Sequence, residues 1–194
     1  PRLSGDTPRR AYIYLPESYD EEPDRRYPVM YMFDGHNVFF DEDATFGKSW
    51  GMNDYMERTG KQLIIVGVEC NHQGNCRLSE YSPVTFENAE LGKIRGRGST
   101  TMNWMVNELK PYIDEHFRTL PDRRNTILAG SSMGGLMALY GAAAYNSVFQ
   151  RAACLSPSLW DEIAAWAEED FRSINSQIEY LLTAAVRGRK KNWK

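Results

Sequence analysis

Apolar residues fall in short blocks separated by polar stretches rich in Gly, Pro and Asn, and the blocks differ in kind along the chain. Arg10 to Leu15 (RAYIYL) ends at Pro16 and predicts a strand, and Glu17 to Arg26 predicts a polar turn region. Tyr27 to Phe33 (YPVMYMF) and Leu63 to Val68 (LIIVGV) are unbroken apolar runs, as strands covered on both faces have to be. Trp50 to Thr59 predicts a short helix. Cys70 to Thr101, rich in Asn, Gly, Ser and Arg, predicts a long irregular loop of the kind that carries function. Met102 to Phe117 carries Trp104, Met105, Leu109, Ile113 and Phe117 at three- and four-residue steps, which predicts a helix bent or divided at Pro111. Strands are expected at Asn125 to Ala129, Ala152 to Leu155 and Gln177 to Leu182, with helices at Gly135 to Tyr145 and Asp161 to Phe171.

Strands that alternate with helices specify an α/β domain, a mostly parallel sheet with helices on both faces. Such sheets place their sites at the C-terminal ends of the strands, here Asp34-Gly35, Cys70, Gly130 and Ser156. With 42% hydrophobic and 25% charged residues, the 194-residue chain can fill one core, so a single domain over 1–194 is expected. A formal net charge of −3 gives no reason to expect nucleic acid or an anionic membrane as partner. The basic run Arg187 to Lys194 reads as a solvated tail.

Gly130-Ser131-Ser132-Met133-Gly134 fits G-x-S-x-G. Alone the pattern is weak, since about one chain in fifteen of this size shows it by chance at ordinary Gly and Ser usage. Its setting sharpens it, because a predicted strand precedes it and an Ala-rich helix follows, as a nucleophile elbow requires. The two glycines relieve a turn too tight for side chains, and the helix N-terminus favours negative charge developing above Ser132. A tetrahedral oxyanion needs two donors. The backbone N–H of Met133 is one candidate, and that of His36, in the loop after Phe33, is the other.

With these residues in place the chain resembles the esterase family of α/β-hydrolases that includes esterase D, enterochelin esterases, feruloyl and acetyl xylan esterases and the mycobacterial antigen 85 acyltransferases. The resemblance rests on Tyr27 to Asn37 (YPVMYMFDGHN), Glu80 to Pro83 (EYSP), Glu108 to Asp114 (ELKPYID), Arg118 to Asp122 (RTLPD), Ala129 to Gly135 (AGSSMGG) and Leu155 to Pro157 (LSP). It covers roughly residues 10–165. It implies Ser132 as nucleophile, Met133 and His36 as oxyanion donors, no cofactor or metal, and a small ester as substrate. It also implies a substrate-binding surface near Asp34, Glu80 and Trp160.

A serine needs a base, and in this fold the order is Ser, then Asp or Glu, then His. His36, His72 and His116 all precede Ser132, and the tail after Leu182 holds no carboxylate. Three accounts stay open: a family member truncated at its C-terminus, with its last strands and His lost, for instance by a frameshift; an upstream His, His36, turning toward Ser132; or a catalytically inactive fold kept for a binding or interaction surface. Lost strands would leave a sheet edge on which a homodimer could form. Cys70, His72 and Cys76 offer three soft ligands but neither a fourth nor paired C-x-x-C spacing, so no metal is predicted. The odd cysteine count, with neither an apolar span of about 20 residues nor a leader, leads to an expected cytoplasmic location.

Overall fold

A computed structural model describes residues 3–4, 8–88 and 91–158. In chain order the elements are β1 (Ala11–Tyr14), α1 (Ser18–Glu21), β2 (Val29–Phe33), α2 (Met52–Thr59), β3 (Ile64–Val68), α3 (Cys76–Glu80), β4 (Phe86–Asn88), β5 (Gly92–Ile94), α4 (Gly98–Trp104), α5 (Lys110–His116), β6 (Thr126–Ser131), α6 (Met133–Ala144) and β7 (Arg151–Leu155). Five strands form one sheet in the order β1-β3-β2-β6-β7. β1 runs antiparallel to β3, and every other pairing is parallel. The α/β class with a mostly parallel sheet is therefore the fold of this chain.

The two unbroken apolar runs supply the middle of the sheet. Tyr31 of β2 stands between Val66 of β3 and Leu128 of β6, and all three are buried. The aliphatic side chains of Val66 and Leu128 each contribute about 1.5–3 kcal/mol when taken from water. The C-terminal ends of β3, β2 and β6 consequently lie side by side, and so do the loops that leave them.

Gly35 and Gly67 let the first of these loops sit close on the sheet. A Cβ on Gly35 would lie 2.3 Å from the carbonyl carbon of Gly67. Only a bare backbone fits there, so the short 3₁₀ turn Gly35–Asn37 rests directly on β3.

Two expectations change. The stretch 70–101 is not irregular throughout: it holds α3, the β4–β5 hairpin and the first residues of α4. The hairpin turns at Gly92, whose φ of 69° favours glycine. The helix expected over 102–117 is divided just ahead of Pro111. Residues Met105–Leu109 form a π turn, in which the Lys110 N–H reaches back to the Met105 carbonyl. Pro111 then stands in the first turn of α5, where its missing N–H costs least. The polar region after Pro16 also holds the short α1, anchored where Ser18 Oγ and Tyr27 Oη lie 2.9 Å apart. The predicted helix Asp161 to Phe171, the predicted strand Gln177 to Leu182 and Trp160 lie outside the described residues.

Candidate active site

The serine turn follows from its glycines. A Cβ on Gly130 would meet the Gly134 carbonyl carbon at 2.4 Å, and one on Gly134 would meet Phe33 Cβ at 3.0 Å and Asp34 Oδ2 at 3.2 Å. The strand-to-helix turn can thus close on itself and on the end of β2. Ser132, between them, has φ 56° and ψ −123°, a conformation that L-residues rarely adopt. Its N–H donates to the Leu155 carbonyl at the end of β7 (3.0 Å), and its carbonyl accepts the first helical bond, from the Leu136 N–H. Met133 opens α6, so its N–H is one of the unpaired donors of a helix N-terminus.

Strain recurs along this edge. Among the described residues three non-glycines have positive φ: Asp34 (58°), Ser132 (56°) and Ser156 (39°). They follow β2, β6 and β7, three neighbouring strands. Unfavourable backbone gathered at one sheet end is the usual mark of a functional site.

Asp34 is held both at its carboxylate and at its backbone N–H. Its carboxylate accepts a two-pronged bond from Arg77, Nε to Oδ1 at 2.8 Å and a terminal nitrogen to Oδ2 at 2.7 Å. Its N–H donates to the Tyr81 hydroxyl at 3.1 Å. Tyr81 packs edge-on against Phe33 and is fully buried. This network fixes the turn after β2 and with it His36.

His36 is buried. Its Nε2 lies 3.0 Å from Thr45 Oγ1, while Nδ1 has no partner although it is sealed from solvent. Burial, and then the neighbouring His72, push its imidazole below the ordinary histidine range, so the ring is neutral at pH 7. His72 meets it edge to face, ring centres 4.4 Å apart, and is itself half exposed. Cys70 is buried, and burial followed by the Asp34 carboxylate lifts its thiol to about 12.

A cleft of about 460 Å³ opens over this group. Ser131, Ser132, Asp34, His36, His72 and Arg77 line one side, and Thr45, Phe46, Lys48 and Trp50 the other. The second wall is a loop tied down by Asp41, whose carboxylate accepts the Ser49 N–H (2.8 Å), the Ser49 hydroxyl (2.8 Å) and the Lys48 ammonium (2.9 Å). Phe46 projects from it with 93% of its surface exposed.

Of the residues singled out in the sequence, Ser132, His36 and Asp34 come together on this cleft, with Met133 directly behind Ser132. Glu80 does not line it. Its carboxylate, 1% exposed, pairs with Arg9 at 2.5 Å, accepts the Asn71 N–H at 3.1 Å and bonds Ser4 Oγ. That is a positioning role for the loop after β3, not a substrate contact. Cys76 stands apart from Cys70 and His72; among the described residues the group close enough to share a cation is His36, Cys70 and His72. His116 stacks on Tyr112 and bonds its carbonyl, as a helix-face residue does. Arg77, Tyr81, Phe46 and Trp50 carried no mark in the sequence as site residues. Only the length of the 70–101 stretch hinted that part of the site lay there.

The profile of the family described as "Putative esterase" matches residues 4–184. The chain belongs to this esterase family. Among its relatives is Esterase Rv1288 of Mycobacterium tuberculosis, 31% identical over 140 residues, which are 72% of this chain and 27% of that one. The uncharacterized protein YbbA of Bacillus subtilis is 25% identical over 159 residues, 81% of this chain and 60% of that one. An IroE-like serine hydrolase of Shewanella oneidensis superposes with a TM-score of 0.62 at 25% identity, over 78% of this chain and 47% of its own. The chain thus spans between about a quarter and three fifths of the length of these relatives. It shares the α/β fold of that family. Among the described residues no helix is long and apolar enough to cross a membrane.

Proposed function

We propose that this chain is a serine carboxylic-ester hydrolase that forms an acyl-enzyme on Ser132. The observation that carries the reading is the backbone of Ser132, φ 56° and ψ −123°, held between β6 and α6 on the cleft. In this arrangement the serine oxygen attacks the ester carbonyl. The N–H groups of Met133 and His36 receive the developing oxyanion, each donor being worth about 3–4 kcal/mol in the transition state. Collapse of the intermediate expels the alcohol, and water then releases the acid. Asp34 belongs to the substrate surface in this reading, while Phe46 and Trp50 offer an apolar wall to the acyl or alcohol group.

The proton from Ser132 needs an acceptor, and no histidine follows Ser132 in the chain. His36 is held by Thr45 and sealed from solvent, which opposes the swing toward Ser132. His72 lines the same cleft and is half exposed, which makes it the better placed of the two imidazoles to turn. The decisive measurement is p-nitrophenyl acetate hydrolysis, with EDTA present, by the chain and by Ser132→Ala. A Ser132-dependent release of nitrophenolate is expected. Equal rates for the two proteins would leave a non-catalytic binding fold as the reading.

A further inference from the structure

We infer that His36, Cys70 and His72 form a binding site for one borderline-soft divalent cation of the Zn²⁺ class, set into the wall of the Ser132 cleft. One ligand atom from each of the three lies within 4.8 Å of the other two. Some point lies within about 2.8 Å of all three atoms so spaced, against bonds of about 2.0–2.3 Å for Zn–N and Zn–S. Each ligand therefore has to close by no more than about 0.5–0.8 Å. Two of the three, Cys70 and His72, sit in the loop directly after β3 and can make that move together.

Three further features point to a ligand. His36 Nδ1 is buried without a partner, in a residue only 4% exposed. A buried ring nitrogen left empty is destabilising, and a cation would remove that cost. The other nitrogen of His36 is already held by Thr45 Oγ1, and His72 Nε2 lies 3.8 Å from the Glu69 carboxylate. His36 thus keeps an outer partner on Nε2 and leaves Nδ1 for a metal, which is how metal-binding histidines are commonly oriented. The donor chemistry, two imidazoles and one thiol, suits Zn²⁺ and not Mg²⁺ or Ca²⁺, which take oxygen.

On binding, the Cys70 thiol gives its proton to water as the sulfur–metal bond forms, and nothing is oxidised. Three protein ligands leave a fourth position. His36 and His72 both line the cleft, so that position is open to a water or to a ligand lying over Ser132. The site stands whether or not Ser132 turns over an ester.

Cobalt(II) is the probe, because a thiolate ligand gives it an intense near-ultraviolet charge-transfer band. The chain is titrated with CoCl₂ and, in parallel, dialysed against ZnCl₂ and analysed for bound metal. One equivalent per chain and the thiolate band are expected. Cys70→Ser should abolish the band, Cys76→Ser should leave it, and His72→Ala should weaken cobalt binding by at least about tenfold. His72 is half exposed, so its variant folds even if the Cys70 variant does not. The absence of a band, a band lost in Cys76→Ser, or unchanged affinity in His72→Ala would each overturn the proposal.

Discussion

Ser132 owes its position to two neighbours that have no side chain. Gly130→Ala places a methyl against the Gly134 backbone at 2.4 Å, and backbone cannot turn aside as a flexible side-chain end can. The expected cost is about 1–3 kcal/mol or somewhat more, seen as a lower urea midpoint. Ser132-dependent nitrophenolate release should fall with it. A second prediction concerns Asp34. Arg77→Ala leaves its carboxylate, 2% exposed, without a counter-charge. Breaking a pair of this kind costs about 3–5 kcal/mol when both partners are buried. Arg77 is about one third exposed, so the lower end of that range is expected from denaturant unfolding. Arg77→Lys keeps the charge but loses the two-pronged geometry and should fall between the variant and the parent.

At the scale of elements, the site is three loops leaving three adjacent strands, and their positions depend on what lies beneath them. Gly35→Ala would push the 3₁₀ turn off β3 and carry His36 with it. A loss of stability of about 1–3 kcal/mol is expected, and the cobalt band assigned to His36 and its neighbours should weaken although no ligand has been replaced. The opposite wall depends on Asp41. The Ser49 N–H, the Lys48 ammonium and the Ser49 hydroxyl hold its carboxyl down to about 2. A carboxyl depressed on folding stabilises the structure above its ordinary range near 4 and loses that contribution as the pH falls toward 2. The Ser49 amide resonance should therefore titrate near pH 2 in the parent and lose that titration in Asp41→Asn. A midpoint near 4 would show that the loop is not held this way. These dependences also explain what the sequence disclosed. β2 and β3 were legible because burial on both faces forces unbroken apolar runs, and the serine turn because its glycines are obligatory. Arg77 was not legible, since it acts through Asp34, 43 residues away in sequence. Glu80 misled for the same reason. Its motif lies beside the site in sequence, but the carboxylate turns inward to Arg9, 71 residues away.

At the scale of the whole molecule, the cleft holds the strained serine turn and, in the proposed reading, two backbone donors, and residues 133–194 include no histidine. The two half-reactions of ester hydrolysis do not need these parts equally. Acylation by p-nitrophenyl acetate has a good leaving group, so carbonyl activation by the Met133 and His36 N–H groups supplies much of what it needs. Deacylation must deprotonate a water, and that step depends on the base. A serine hydrolase stripped of its base still retains about 10³–10⁴-fold catalysis from oxyanion stabilisation and binding. The expected behaviour is therefore a burst that approaches one nitrophenolate per chain, followed by slow turnover. Intact-mass and peptide analysis should find one acetyl group, on Ser132. His72→Ala, measured with EDTA present, distinguishes the source of the remaining base: a slower burst assigns the role to His72, and an unchanged one leaves the oxyanion donors to act without it. A burst that persists in Ser132→Ala, or acetyl groups spread over surface lysines alone, would show that the strained serine at the end of β6 is not a nucleophile.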